Sequence, residues 1–241
     1  PTEEVPELEE HFMNLGKLIV DVGKLVAKQV DRYIASKCTT YEANKLFRII
    51  DTSKCCKARL LHYFARNAED IKKMENTKVE DKDTFSSWCG WHNDHGSLTG
   101  LVSALFLDET LEPVKNSDPV SGLYARSRSS ELIKVNIPVD HIAYQIGECH
   151  QVHSGGIVQA TPHAVRGSSM PGVCRDTFAV FMEPDYDEAM TIPDGIDLDN
   201  AQSQTAISNL PSGISPIMKR WKSGMDFSNF TDATLNSYYE M

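Results

Sequence analysis

Between Leu98 and Met182 the chain is cut into short runs rich in Val, Ile, Tyr and Phe, each ended by Gly, Pro, Ser or Asp. The runs are Leu98 to Leu107, Gly122 to Ser127, Leu132 to Ile137, Ile142 to Gly147, Val158 to Val165 and Arg175 to Met182. No long helical pattern separates them, so the crossovers of a parallel sheet are missing and an antiparallel sandwich or barrel is expected. Upstream the period changes. Leu15, Leu18, Ile19, Val22, Leu25, Val26, Val30 and Tyr33 recur at helical spacing between Glu7 and about Ser36, as on an amphipathic helix lying on a core. A second short helix is expected over roughly Thr40 to Ile50, with Thr39 or Thr40 as its cap. The polar stretch Asn67 to Asp83 reads as a solvated connection, with a helix over its first half as the alternative, and Asp108 to Pro119 as a surface loop. Beyond Pro184 only Ile217 to Met225 suggests a short helix, and the last residues read as a tail, packed or frayed. The expected organisation is a helical N-terminal region over 1–83, a β core over 84–184 and a C-terminal segment over 185–241.

The 241 residues suffice for one large domain or two small ones, with a sizeable core. Lys and Arg number 24 against 34 Asp and Glu, a net charge of −10, and so acidic a surface repels a phosphate backbone. No nucleic-acid partner is expected. No run of about 18 apolar residues is present, so no membrane-spanning helix is expected either. The opening PTEEVPELEEHF is acidic where a secretion signal is basic and then apolar. Cys38, Cys55, Cys56, Cys89, Cys149 and Cys174 show no Cys-x-x-Cys spacing and read as reduced thiols of an intracellular, cytoplasmic protein. The chain starts at Pro1 without Met and reads as processed or trimmed.

The sharpest local feature is Trp91-His92-Asn93-Asp94-His95-Gly96. On a strand, His92 and Asp94 share a face, an imidazole beside a carboxylate. These are two ligands for a divalent metal, and a third would complete a facial triad with open positions. His163, near the end of a later strand, is the best third. Taken alone, a His/Asp pair on a sheet is more often a hydrogen-bonded structural pair. Arg175 and Thr177 also share a strand face, offering a guanidinium fork and a hydroxyl to one carboxylate. Taken alone, an arginine snorkelling from an edge strand is the favoured reading of this pair. His95 is expected on the face away from His92 and Asp94. His150 and His153 read as turn residues, with the cavity mouth as the alternative, Trp88 and Trp91 as core packing ahead of substrate stacking, and the acidic run Asp185 to Glu188 as a solvated face. Tyr124 and Tyr144 either face the cavity or fill the core.

The order His-x-Asp, distal His, Arg-x-Thr resembles the Fe(II)/2-oxoglutarate-dependent dioxygenases, in their isopenicillin N synthase-like branch. That branch's His-x-Asp-x-Gly-x-Leu-Thr is similar to His92 to Thr99, its Gly-Leu-Gln-Val to Gly122 to Ala125, and its Gly-Asp to Gly147-Glu148. Its Arg-x-Ser becomes Arg175-Asp176-Thr177, a change that keeps the hydroxyl. Ala164 stands where Arg usually follows the distal histidine, and Leu61-His62-Tyr63-Phe64 keeps only the final Tyr of Asn-Tyr-Tyr-Pro. The interval from Asp94 to His163 is longer than usual, which places an insertion around Asp108 to Pro119, and the N-terminal region is short for the family.

The resemblance implies a mainly β fold with flanking α: a distorted double-stranded β-helix, or jelly roll, as catalytic core. It implies Fe(II) on His92, Asp94 and His163, the distal carboxylate of 2-oxoglutarate on Arg175 and Thr177, and Tyr63 as a contact for co-substrate or substrate. The implied activity is oxidation of a small organic molecule with dioxygen, giving succinate and CO2. Three other readings remain open: an Fe(II) oxidase that needs no 2-oxoglutarate, a jelly-roll binding or scaffold protein without catalysis, and a zinc hydrolase on the same ligands.

Overall fold

The computed structural model describes residues 4–75, 87–114, 118–198, 210–211 and 213–239. Two helices, α1 (Leu8–Ala35) and α2 (Lys45–Thr52), precede strand β1 (Lys57–Tyr63) and helix α3 (Ala68–Glu75). Then come β2 (Ser87–His92), β3 (Leu98–Val102), β4 (Leu105–Leu107), β5 (Gly122–Arg126), β6 (Leu132–Lys134) and β7 (Ile142–Ile146). Helix α4 (Glu148–His153), strands β8 (His163–Arg166) and β9 (Cys174–Met182), and helices α5 (Ile217–Arg220) and α6 (Phe227–Tyr239) complete the described elements. One sheet joins β1, β9, β3 and β7 in that order, with β4 also against β9; the other joins β2, β8, β5 and β6. Every pairing is antiparallel. The two sheets form a jelly-roll core of the double-stranded β-helix kind, flanked by the N-terminal helices.

Alternation along β9 shows how the sheet divides its labour. Phe178, Val180 and Met182 turn outward and pack with Leu98, Ile19 and Ala27 under α1. Arg175, Thr177, Ala179 and Phe181 turn inward and line a cavity between the sheets. A side chain at Gly100 would strike Ile19 and the Tyr144 ring, so this glycine sets how closely α1 lies on β3. The Tyr144 hydroxyl donates to the Ile19 carbonyl at 2.7 Å, which places that ring under α1 and outside the cavity. Tyr124 likewise packs in a small core with Trp91, Ala164 and Ile214.

The structure departs from the sequence reading at several elements. Residues 1–83 are not wholly helical: β1 pairs with β9 over seven residues, Lys57 opposite Phe181 through Tyr63 opposite Arg175. Its apolar residues are interleaved with Lys, Arg and His, which hides the strand. Helix α2 starts at Lys45 and takes its cap from elsewhere. The buried Asp31 of α1 accepts from the Leu46 and Phe47 amides at 3.0 and 2.9 Å, so neither Thr39 nor Thr40 is needed. The run Leu98 to Leu107 is two strands, and Val158 to Val165 is strand only from His163. The first part of Asn67 to Asp83 is helix α3, with the remainder after Glu75 outside the described residues. His150 and His153 lie on a helix and are fully buried, not in a turn. The expected helix from Ile217 ends at Arg220, and the tail is packed: Phe227 and Phe230 of α6 join Trp221, Met190 and the α4 residues Cys149 and Val152 in a second core. Glu188 in the acidic run is an ion-pair partner, with both Arg48 terminal nitrogens on its carboxylate at 2.9 and 3.0 Å. No described helix is long and apolar enough to cross a membrane.

Candidate metal centre

Strand pairing brings the histidines together. His92 ends β2 directly opposite His163 at the start of β8, and Asp94 follows in the loop, 6 % exposed. One ligand atom from each of His92, Asp94 and His163 lies within 4.8 Å of the others, the one such cluster among the described residues. Asp94 Oδ1 is 3.5 Å from His163 Nε2 and 3.9 Å from His92 Nε2. Each imidazole uses its other nitrogen on backbone: His92 Nδ1 donates to the Gly90 carbonyl at 2.8 Å, His163 Nδ1 to the Thr161 carbonyl at 3.0 Å. Those bonds orient both rings, so the two Nε2 atoms face one place, where a neutral imidazole presents its lone pair. Two imidazole nitrogens and a carboxylate on one side suit a divalent transition metal such as Fe(II) and leave other coordination positions free.

Electrostatics divides the two histidines. Burial disfavours the charged form of His92, but Cys89, the Gly90 carbonyl and Asp94 outweigh it and raise the pKa to about 9. Burial lowers His163, with Asp94 pulling the other way. A cation bound at the shared point would compete with the His92 proton.

Gln145, on β7, is a site residue that the sequence reading does not single out. Its amide donates to Asp94 Oδ2 and lies 3.2 Å from His163 Nε2. A signal is available: with Tyr144 turned outward under α1, its neighbour must face in, and a polar side chain there marks the cavity.

The cavity, about 370 Å³, holds the triad and Gln145 together with Tyr63, Arg175, Thr177 and Arg59. Arg175 and Thr177 are each only 6 % exposed, so the edge-strand reading of Arg175 fails. The Arg175 guanidinium sits over the Tyr63 ring at 5.1 Å, and its Nε and Nη1 have no hydrogen-bond partner. Burial lowers its pKa, offset by Tyr63, yet an arginine side chain stays charged. Thr177 Oγ1 donates at 3.4 Å to the Val102 carbonyl. Tyr63 is packed against Trp88 at 5.9 Å between ring centres, and burial raises its hydroxyl pKa. Arg175 is thus a buried cation with unused donors, in the same cavity as the three converging ligand atoms. His95 turns away from the cation site, as expected, and meets Thr231 of α6 at 3.0 Å.

Comparison with known proteins agrees on the fold. No family profile matches the chain, and no curated protein matches it. Among solved structures, a full-length Neurospora crassa protein in complex with alpha-KG is 20 % identical over 91 % of this chain and 55 % of that one, at a TM-score of 0.56. A protein assigned to the 2OG-Fe(II) oxygenase family from Caulobacter crescentus is 16 % identical over 98 % of this chain and 61 % of its own, TM-score 0.60. A protein assigned as an oxygenase from Shewanella oneidensis is 15 % identical over 85 % and 65 %, TM-score 0.56. The chain thus spans 55 to 65 % of the length of these structures. It has the fold of the Fe(II)/2-oxoglutarate oxygenase superfamily, with a His-Asp-His cluster suited to a metal in the cavity between its sheets.

Proposed function

We propose that this protein is an Fe(II)- and 2-oxoglutarate-dependent oxygenase of the isopenicillin N synthase-like branch. It would oxidise, by hydroxylation, a small organic substrate and release succinate and CO2. The observation that carries the reading is Arg175, a buried guanidinium with unpartnered Nε and Nη1 in the cavity of the triad. A zinc hydrolase has no use for such an anchor. A 2-oxoglutarate molecule needs one, because its distal carboxylate must be neutralised while the other end reaches the metal. That the Neurospora crassa protein has been solved with alpha-KG supports a co-substrate site in this fold.

Within this reading His92, Asp94 and His163 hold Fe(II), Arg175 and Thr177 take the distal carboxylate, and Tyr63 lines its path. Bound Fe(II) and 2-oxoglutarate supply the activation of dioxygen. The chain's own part is positional. The backbone carbonyls of Gly90 and Thr161 orient the imidazoles, and Gln145 orients Asp94. Leu61, Leu101, Leu123 and Val165 wall the cavity and keep water from the reacting groups. β1 supplies one wall, so the catalytic core of 84–184 works only with the N-terminal region in place. The six cysteines are all free, which supports the reducing cytoplasm as the setting.

Anaerobic titration with Fe(II), with and without 2-oxoglutarate, tests the reading. A visible absorption that needs both components, followed by succinate formation on exposure to air, is expected. Iron binding without that absorption replaces it with the oxidase reading, and no metal binding at all replaces it with the scaffold.

A further inference from the structure

Asn93 and His95 alternate with the ligands His92 and Asp94 and turn toward Glu148, the first residue of α4. The Asn93 amide donates to Glu148 Oε1 at 3.0 Å, and His95 Nδ1 stands 3.9 Å from Oε2. The carboxylate is gripped from the other side by Arg220, whose Nη1 and Nη2 donate to Oε2 and Oε1, both at 2.8 Å. The side chains are 4 and 3 % exposed. Arg220 also donates to Thr234 Oγ1 and to the Ser215 carbonyl, each at 2.8 Å. The backbone runs parallel to this chain of contacts. The Glu148 amide donates to the Asp94 carbonyl at 2.7 Å, and the Cys149 amide is shared between the His95 and Gly96 carbonyls at 3.1 and 3.2 Å. Burial works to raise the Glu148 pKa, but His95, Arg220 and Asn93 more than reverse it, so the carboxylate is ionised.

A buried ion pair adds little stability that apolar residues of equal volume would not supply. What a planar two-point contact does supply is a fixed orientation. Here the oriented group is bonded to the peptide that carries two of the three metal ligands. We propose that Glu148 is a positioning residue of the metal centre: locked by Arg220, its carboxylate fixes the loop between His92 and Asp94. The C-terminal segment thereby sets metal affinity although it contributes no ligand.

The inference rests on the triad being a metal site, and the test separates the two. The probe is Co(II), titrated into the full chain and followed by its visible absorption, with apo-protein melting recorded beside it. Wild-type protein binds, and Glu148→Gln weakens binding 10- to 100-fold with an altered band shape, as outer-sphere changes do. Asn93→Ala leaves the ion pair intact and keeps the variant folded; about tenfold weaker binding is expected. Ile19→Ala, on α1 outside the cavity, is the control: it lowers the melting temperature and leaves affinity unchanged. Wild-type affinity in Asn93→Ala, or in a folded Glu148→Gln, overturns the inference. So does an equal loss in Ile19→Ala. Wild-type protein that binds no Co(II) overturns the metal-site reading first, and the inference with it.

Discussion

Arg175 and Arg220 are buried to nearly the same degree, 6 and 3 % exposed, yet their surroundings are opposite. Arg220 meets a carboxylate squarely, a threonine hydroxyl and a carbonyl, and only its Nε is left over. Arg175 lies over a phenol ring with Nε and Nη1 unpartnered. An interior tolerates the first because its desolvation is offset inside the chain. The second is costly as it stands, which is what a chain accepts where a ligand is to complete the site. His150 limits the rule. Both of its nitrogens are also unpartnered, but it lies outside the lining of the triad's cavity and carries no charge: burial and nearby Lys45 lower its pKa to about 3. An unpaired polar group marks a ligand site only when it is charged and faces a cavity.

Removing the paired arginine is expected to have the largest effect. Arg220→Met leaves Glu148 buried without its countercharge and should cost about 3–5 kcal/mol of stability in urea unfolding. Arg175→Met should change stability by less than about 1 kcal/mol, since it removes an uncompensated charge. If the two lose equally, the contrast is wrong.

The same Arg175→Met, loaded with Mn(II) in place of iron, should bind 2-oxoglutarate about 100-fold more weakly in calorimetric titration, roughly 2.8 kcal/mol. Unchanged affinity would remove Arg175 from the site.

A smaller effect is expected from His150, through pH. Its folded-state pKa lies below the ordinary 6.5, so the unfolded chain binds the proton first. Stability is therefore full above about 6.5 and falls as pH drops toward 3, by about 2 kcal/mol between pH 7 and pH 5. Melting curves of His150→Leu should lose this share of the acid sensitivity, leaving that of His153, which burial also depresses. The smallest change is Thr177→Val. It should weaken 2-oxoglutarate by about fivefold, near 1 kcal/mol, with no change in melting temperature.

What the sequence disclosed follows from the reach of each interaction. His92 and Asp94 stand two apart at the end of β2 and in the loop that follows it, so their closeness is local and shows in the sequence although Asp94 is not on the strand. Arg175 and Thr177 are legible for the same reason. The Glu148–Arg220 pair joins residues 72 apart through three segments, and nothing local in either neighbourhood announces the other. The Asp31 cap of α2 is hidden likewise, because the acceptor comes from a different helix. His150 and His153 read as turn residues because Gly155-Gly156 dominates their neighbourhood. The short helix before it is built by tertiary packing on Met190 and Trp221, which propensity does not see.

One wall of the cavity is made by β1 lying against β9, where His62 meets Asp176 at a separation of 114 residues. Synthesis delivers His92 and Asp94 before His163, and the partner strand of β1 later still. A growing or partly unfolded chain thus lacks the enclosure while it already displays the His-x-Asp pair. Contacts of such long range form slowly, so a metal ion that reached the His-x-Asp pair before β9 closed onto β1 would meet an open loop rather than a walled cavity. On the reading proposed above, the order of chain closure and metal uptake would then be a question of damage control as much as of folding.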